Sequence, residues 1–113
     1  MAASELFAQS PTVGTTEFSI PNNSTTLTPQ TSDYTIQCVF DTENLAAGDR
    51  FQFTVYEKAV SGGTQHVVWR SIVTGAQEAH TTSPAVIVLH GWDVTVKKLA
   101  GTDRVIPVSV RTP

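Results

Sequence analysis

Cysteine is nearly absent from this chain: Cys38 is the single one in 113 residues. No intrachain disulfide can form, so burial and hydrogen bonding must hold the fold alone. Its neighbours Ile36, Val39 and Phe40 mark Cys38 as a small core residue rather than a nucleophile. Charge is also scarce, at 15% of residues with a net charge of −3. Lys97-Lys98 is the one basic pair, and Arg50, Arg70, Arg104 and Arg111 are scattered. Phosphate binding needs a basic face, so nucleic acid is not an expected partner. No apolar run is long enough to cross a membrane, and the opening Met-Ala-Ala-Ser-Glu-Leu-Phe lacks the basic start of a secretory signal. The chain is therefore expected to stay in the cytosol that makes it, with no membrane partner.

Helical periodicity of useful length is missing, as are internal repeats. So are the motifs of catalysis. There is no Gly-x-Ser-x-Gly elbow. The glycines of Ser61-Gly62-Gly63-Thr64 have no helix behind them to cradle a phosphate. His66, His80 and His90 are the only histidines, and neither His-x-His nor Cys-x-x-Cys spacing occurs. Packed or solvated histidines are the expectation. No catalytic residue, metal ligand or cofactor is assigned, and the chain is not expected to be an enzyme.

What the chain does have is alternation. Residues 49–74 read as one long β-hairpin. Phe51, Phe53 and Val55 point to one side, and Arg50, Gln52, Thr54, Tyr56 and Lys58 to the other, giving one buried and one wet face. Residues 61–64 tolerate positive φ and turn the chain. The return arm, 65–73, is rich in β-branched and aromatic residues.

Around this hairpin the other elements fall in order. Residues 1–14 read as an extended N-terminal arm, ordered against a neighbour, and 15–113 as a single β-sandwich domain. Phe18 and Ile20 belong to an edge strand ended by Pro21-Asn22-Asn23, and 24–28 suits a further short strand. Residues 34–41 form a strand with Tyr34, Ile36 and Cys38 on one side. The stretch 41–49 predicts a single helical or 3₁₀ turn ended by Gly48, with Leu45 tucked beneath as a plug, carrying the chain from one sheet to the other. Residues 75–84 form the longest loop. In 85–99, Val86, Val88, His90, Trp92, Val94 and Val96 share one parity, while Ile87 and Leu89 make the first half apolar on both faces. Gly91 predicts a bulge or a bend between sheets. Residues 104–111 return as the last strand, which Pro107 places at an edge or a bulge.

Roughly six to eight short strands with frequent turn signals indicate an all-β fold, a two-layer antiparallel β-sandwich of immunoglobulin-like or jelly-roll-like type. Tyr56, Trp69 and Trp92 would stack a glycan if exposed together, yet both tryptophans alternate with valines and read as core.

Four stretches carry a resemblance: residues 16–24 (Thr-Glu-Phe-Ser-Ile-Pro-Asn-Asn-Ser), 45–51 (Leu-Ala-Ala-Gly-Asp-Arg-Phe) with Tyr56-Glu57-Lys58, 89–98 (Leu-His-Gly-Trp-Asp-Val-Thr-Val-Lys-Lys), and Gly101-Thr102-Asp103-Arg104. Through them most of the chain resembles a family of short β-sandwich proteins encoded among the virion genes of tailed bacteriophages. The resemblance implies a structural component of the virion, assembled in the host cytoplasm, and carries over no catalytic residues. A capsid decoration (cement) protein is the leading expectation, homo-oligomeric and bound to the major capsid protein or other virion proteins. Leu6, Phe7, Ile87 and Leu89 would make those contacts. The alternative is a neck, tail or fibre component, including a host-glycan adhesin.

Overall fold

Alternation in the central hairpin becomes two long paired strands, β5 (Arg50–Lys58) and β6 (Gln65–Thr74). The computed structural model describes residues 3–113 and contains nine further strands: β1 (Ser4–Gln9), β2 (Thr12–Val13), β3 (Phe18–Ser19), β4 (Tyr34–Phe40), β7 (Thr81–Thr82), β8 (Val86–Val88), β9 (Asp93–Ala100), β10 (Arg104–Val105) and β11 (Val108–Thr112). One antiparallel sheet runs β1-β11-β4-β7, with β8 also on β4, and the other runs β3-β9-β5-β6. A short β10-β2 pair stands beside them. The two sheets form an antiparallel β-sandwich.

The core lies where the inward parities meet. Ile36, Cys38 and Phe40 of β4, Phe51, Phe53 and Val55 of β5, Val94 and Val96 of β9, and Val108 and Val110 of β11 are all buried. Phe40 and Phe53 stack across the layers with ring centroids 4.6 Å apart. Each such side chain contributes about 1.5–3 kcal/mol by leaving water.

The chain changes sheets at both predicted places, as it also does between β3 and β4, β6 and β7, and β9 and β11. Between β4 and β5, Leu45 is buried as a plug. Instead of a single helical or 3₁₀ turn, two tight turns make the corner, closed by Leu45 N–H to Thr42 O and Asp49 N–H to Ala46 O. Around Gly91 the chain leaves β8, paired to β4, and enters β9, paired to β5 and β3.

Four expectations need correction. The N-terminal arm is extended, but residues 4–9 pair with β11 of the same chain and residues 12–13 with β10; residues 1 and 2 of it lie outside the described residues. A strand at 24–28 does not form: only Ser24 bridges back to Ser19. Of the edge or bulge expected at Pro107, the edge fails, because β11 lies inside its sheet between β1 and β4; Pro107 instead sits at a break that splits the last strand in two. The loop 75–84 contributes the short strand β7. Three of the four share one cause. Ladder partners distant in sequence decide whether a short segment is a strand, and local propensity does not.

The outer face of the β3-β9-β5-β6 sheet is also drier than alternation predicted. Ser19, Thr95 and Thr54 are adjacent across its strands and are fully buried, as is Asp93 beyond them. Longer polar side chains lie over this row. Arg70 Nε donates to Thr54 Oγ1 at 3.1 Å, and the Tyr56 hydroxyl donates to Glu17 at 2.6 Å.

Candidate functional site: exposed aliphatics on a pinned crossover

Leu6 and Phe7, expected to face a neighbour, pack against their own core, and Phe7 meets Trp92 edge-to-face at 6.2 Å. Pairing of β1 with β11 turns them inward, which corrects their assignment as free contacts. Ile87 and Leu89 stay exposed, Ile87 by 77%.

The aromatic trio does not gather into a stacking platform. Trp92 is buried, with its indole N–H donated to Ser32 O at 2.8 Å. Trp69 is half-buried on the inner face against Phe40. Tyr56 lies on the outer face, held by Glu17. Strand alternation sends Tyr56 to the side of the sheet opposite Trp69 and Trp92.

The segment carrying Ile87 and Leu89 is pinned by a residue that sequence reading did not single out. The Glu57 carboxylate accepts the backbone N–H groups of Leu89, His90 (3.4 Å) and Gly91 (2.9 Å), and also that of Lys58 (2.9 Å). Successive amides converging on one carboxylate form an anion-binding concavity, here filled from within the molecule. Lys58 N–H adds a ladder bond to Gly91 O at 3.1 Å. The crossover therefore presents large aliphatic side chains from a preorganised backbone. Glu57→Ala is expected to lower stability by about 2–3 kcal/mol, since charge-assisted bonds are lost and several amides lose their acceptor. Hydrogen exchange at residues 89–91 should rise at the same time. Unchanged protection there would show that the carboxylate does not hold the crossover.

A second pin joins two other stretches. Asp49 accepts N–H groups from Ala46 (2.9 Å) and Thr102 (3.0 Å) and pairs with Arg104 Nε at 2.7 Å. These backbone bonds and the guanidinium lower its pKa to about 2. On the outer face, Ser19 Oγ donates to Asp93 at 2.7 Å and accepts from Asn22 Nδ2 at 2.8 Å, tying the 21–33 segment to β9. Burial, reinforced by the nearby Glu17 charge, raises the Asp93 pKa to about 6. Burial, followed by Glu17, raises that of Tyr56 as well.

An open groove of about 310 Å³ runs over β1, β11 and the end of β4. Its polar groups are engaged with one another: Ser109 Oγ donates to Glu5 at 2.5 Å and accepts from Arg111 Nε at 3.0 Å, and His80 Nδ1 lies 3.5 Å from Asp41. Burial raises the Cys38 thiol to about 12, leaving it protonated and unreactive at neutral pH. Among the described residues, no three His, Cys, Asp or Glu side chains are grouped to share a metal ion.

This arrangement can hold a shape and present a surface. Its carboxylates act as backbone pins, and its exposed aliphatics are the groups left over for contact. No family model, curated protein or solved structure matches the chain.

Proposed function

We propose that this chain is a structural protein of a tailed-bacteriophage virion, a capsid decoration protein that docks on the head lattice and stabilises it. The observation that carries the reading is the exposed pair Ile87 and Leu89, the first held in β8 by pairing with β4 and the second on the crossover backbone that Glu57 holds in place. Large aliphatic groups on a preorganised backbone lose little conformational freedom on binding, which favours a protein contact. A small disulfide-free sandwich also gains stability from docking on a repeating array, because binding only the folded state shifts the folding equilibrium. The family resemblance of residues 45–51, 89–98 and 101–104 points the same way. The major capsid protein is the partner, and the assembled virion the location.

Heads prepared without the protein are expected to lose resistance to heat or chelators and to regain it when the protein is added back. Ile87→Asp with Leu89→Asp should fold normally, because both side chains are solvent-facing, yet fail to bind such heads. Copies per particle discriminate against a neck, tail or fibre component: hundreds accord with decoration, and a handful to a few dozen would sink it. Binding by the double aspartate variant equal to that of the unmodified chain would move the contact elsewhere.

A further inference from the structure

A sandwich of two open sheets has strand edges that must be protected or used. Three of the edges here are blunted. β3 is two residues long, and the chain beyond it bridges back onto it at Ser24. β1 is interrupted by a register shift at Leu6 and followed by Pro11. β7 and β8 are two and three residues long, with Pro84 between them. The fourth edge, β6, is ten residues long and pairs with β5 alone. Its one irregularity lies near Val68, opposite the shift between Val55 and Tyr56. From 69 to 74 it has no proline, glycine, lysine or carboxylate.

The direction of its backbone groups follows from one bond. Gly75 N–H donates to Asp49 O at 2.8 Å, in register with the hairpin pair Arg50–Thr74. Antiparallel pairs alternate between bonded and non-bonded, so Val73 and Ser71 face β5. The N–H and C=O groups of Arg70, Ile72 and Thr74 then face outward. Gln77 Nε2 occupies one lone pair of Thr74 O and leaves the other open.

We propose that the β6 edge pairs antiparallel with β6 of a second copy of this chain, with Ile72 on the two-fold axis. A second copy is the fitting occupant because a partner strand must itself have an open edge, and β6 is the long open edge this chain offers. The pairing is then isologous. Charge selects the register. Arg70 is the one formal charge between 69 and 74. Centring on Arg70 would set the two guanidinium groups face to face, which is destabilising. Centring on Ile72 places each Arg70 opposite the Thr74 of the other copy and keeps the two charges four residues apart along a strand. It also joins two exposed isoleucines on the outer face and sets Trp69, half-buried at the rim, opposite a glycine, Gly75. This pairing does not depend on the docking at Ile87 and Leu89, which lie on the crossover between sheets.

Sedimentation equilibrium of the whole chain tests it. The unmodified protein should show a concentration-dependent monomer–dimer equilibrium. Ile72→Lys sets two ammonium groups together at the axis and should weaken the dimer by at least about tenfold. Its circular dichroism should stay unchanged, and at concentrations low enough for both to be monomeric its thermal midpoint should match that of the unmodified chain, because the side chain is exposed. Ile72→Cys should oxidise to a covalent dimer, and the buried Cys38 does not compete. A protein that remains monomeric up to about 1 mM, the scale of a weak contact, overturns the proposal. So does an Ile72→Lys variant that dimerises as well as the unmodified chain. Dimerisation of the unmodified chain without cross-linking of Ile72→Cys would overturn the register.

Discussion

Gly101→Ala is expected to lower stability by about 3–5 kcal/mol, combining a left-handed backbone penalty with overpacking against main-chain atoms. Gly101 has φ +93°, a region that L side chains rarely adopt. A Cβ there would lie 2.6 Å from Asp49 Cα and 2.8 Å from Gly48 O, and closer still to Asp49 Oδ1. These neighbours belong to the corner between the sheets, so relief requires the corner to move. That movement would break the bonds from Ala46, Thr102 and Arg104 to Asp49. Gly75→Ala is the control. Its φ is +75° but no atom lies within 4 Å of the added carbon, so only the backbone penalty of about 1–2 kcal/mol applies. Urea denaturation of both variants makes the comparison. Equal losses at the two positions would refute the close packing of the 101–102 turn against the corner.

Lowering the pH from about 7.5 to about 4.5 is expected to stabilise the protein by about 1–2 kcal/mol, because Asp93 takes up a proton more readily folded than unfolded. Its folded pKa of about 6 lies above the ordinary 3.8. The folded chain therefore binds more protons between those values, and stability falls as pH rises through that window. Asp49 has the opposite sign. Its pKa of about 2 means that its contribution is full above about 4 and is lost as pH falls toward 2. Together the two groups place the stability maximum in weak acid. Asp93→Asn should flatten the window and raise stability at neutral pH by about 1–3 kcal/mol, because the amide oxygen still accepts from Ser19 Oγ. Equilibrium denaturation across the pH series measures both effects. A variant less stable than the unmodified chain at pH 7.5 would mean that the ionised carboxylate is a net stabilising partner for Ser19 and the 21–33 segment.

The long elements were legible because their signal is local. Phe51, Phe53 and Val55 alternate over an unbroken stretch, and the hairpin they predict is present. Leu45 and Gly91 were legible as sheet changes because a plugged corner and a glycine between apolar runs each have a local cause. The short segments were not. Residues 4–9 become a strand only because β11 offers an edge, and 24–28 fails to become one although its three threonines favour a strand. Of the expected contact residues, Ile87 and Leu89 stayed exposed, whereas Leu6 and Phe7 turned inward with β1. In the sequence Glu57 is legible only as part of the Tyr56-Glu57-Lys58 stretch, with no role of its own. Its role depends on three amides more than thirty positions away.

By itself the sequence determined the class of the fold, since a period of two repeated over several segments can bury its apolar side only in stacked sheets. It also determined that no disulfide within the chain would help. Tertiary structure alone decided the use of the polar residues: Asp49, Glu57 and Asp93 each became a fastening between distant stretches, two of them at strongly shifted pKa values. Alternation is a property of neighbours along the chain. A buried carboxylate depends on whichever backbone amides and hydroxyls the folded chain brings to it, and those come from elsewhere.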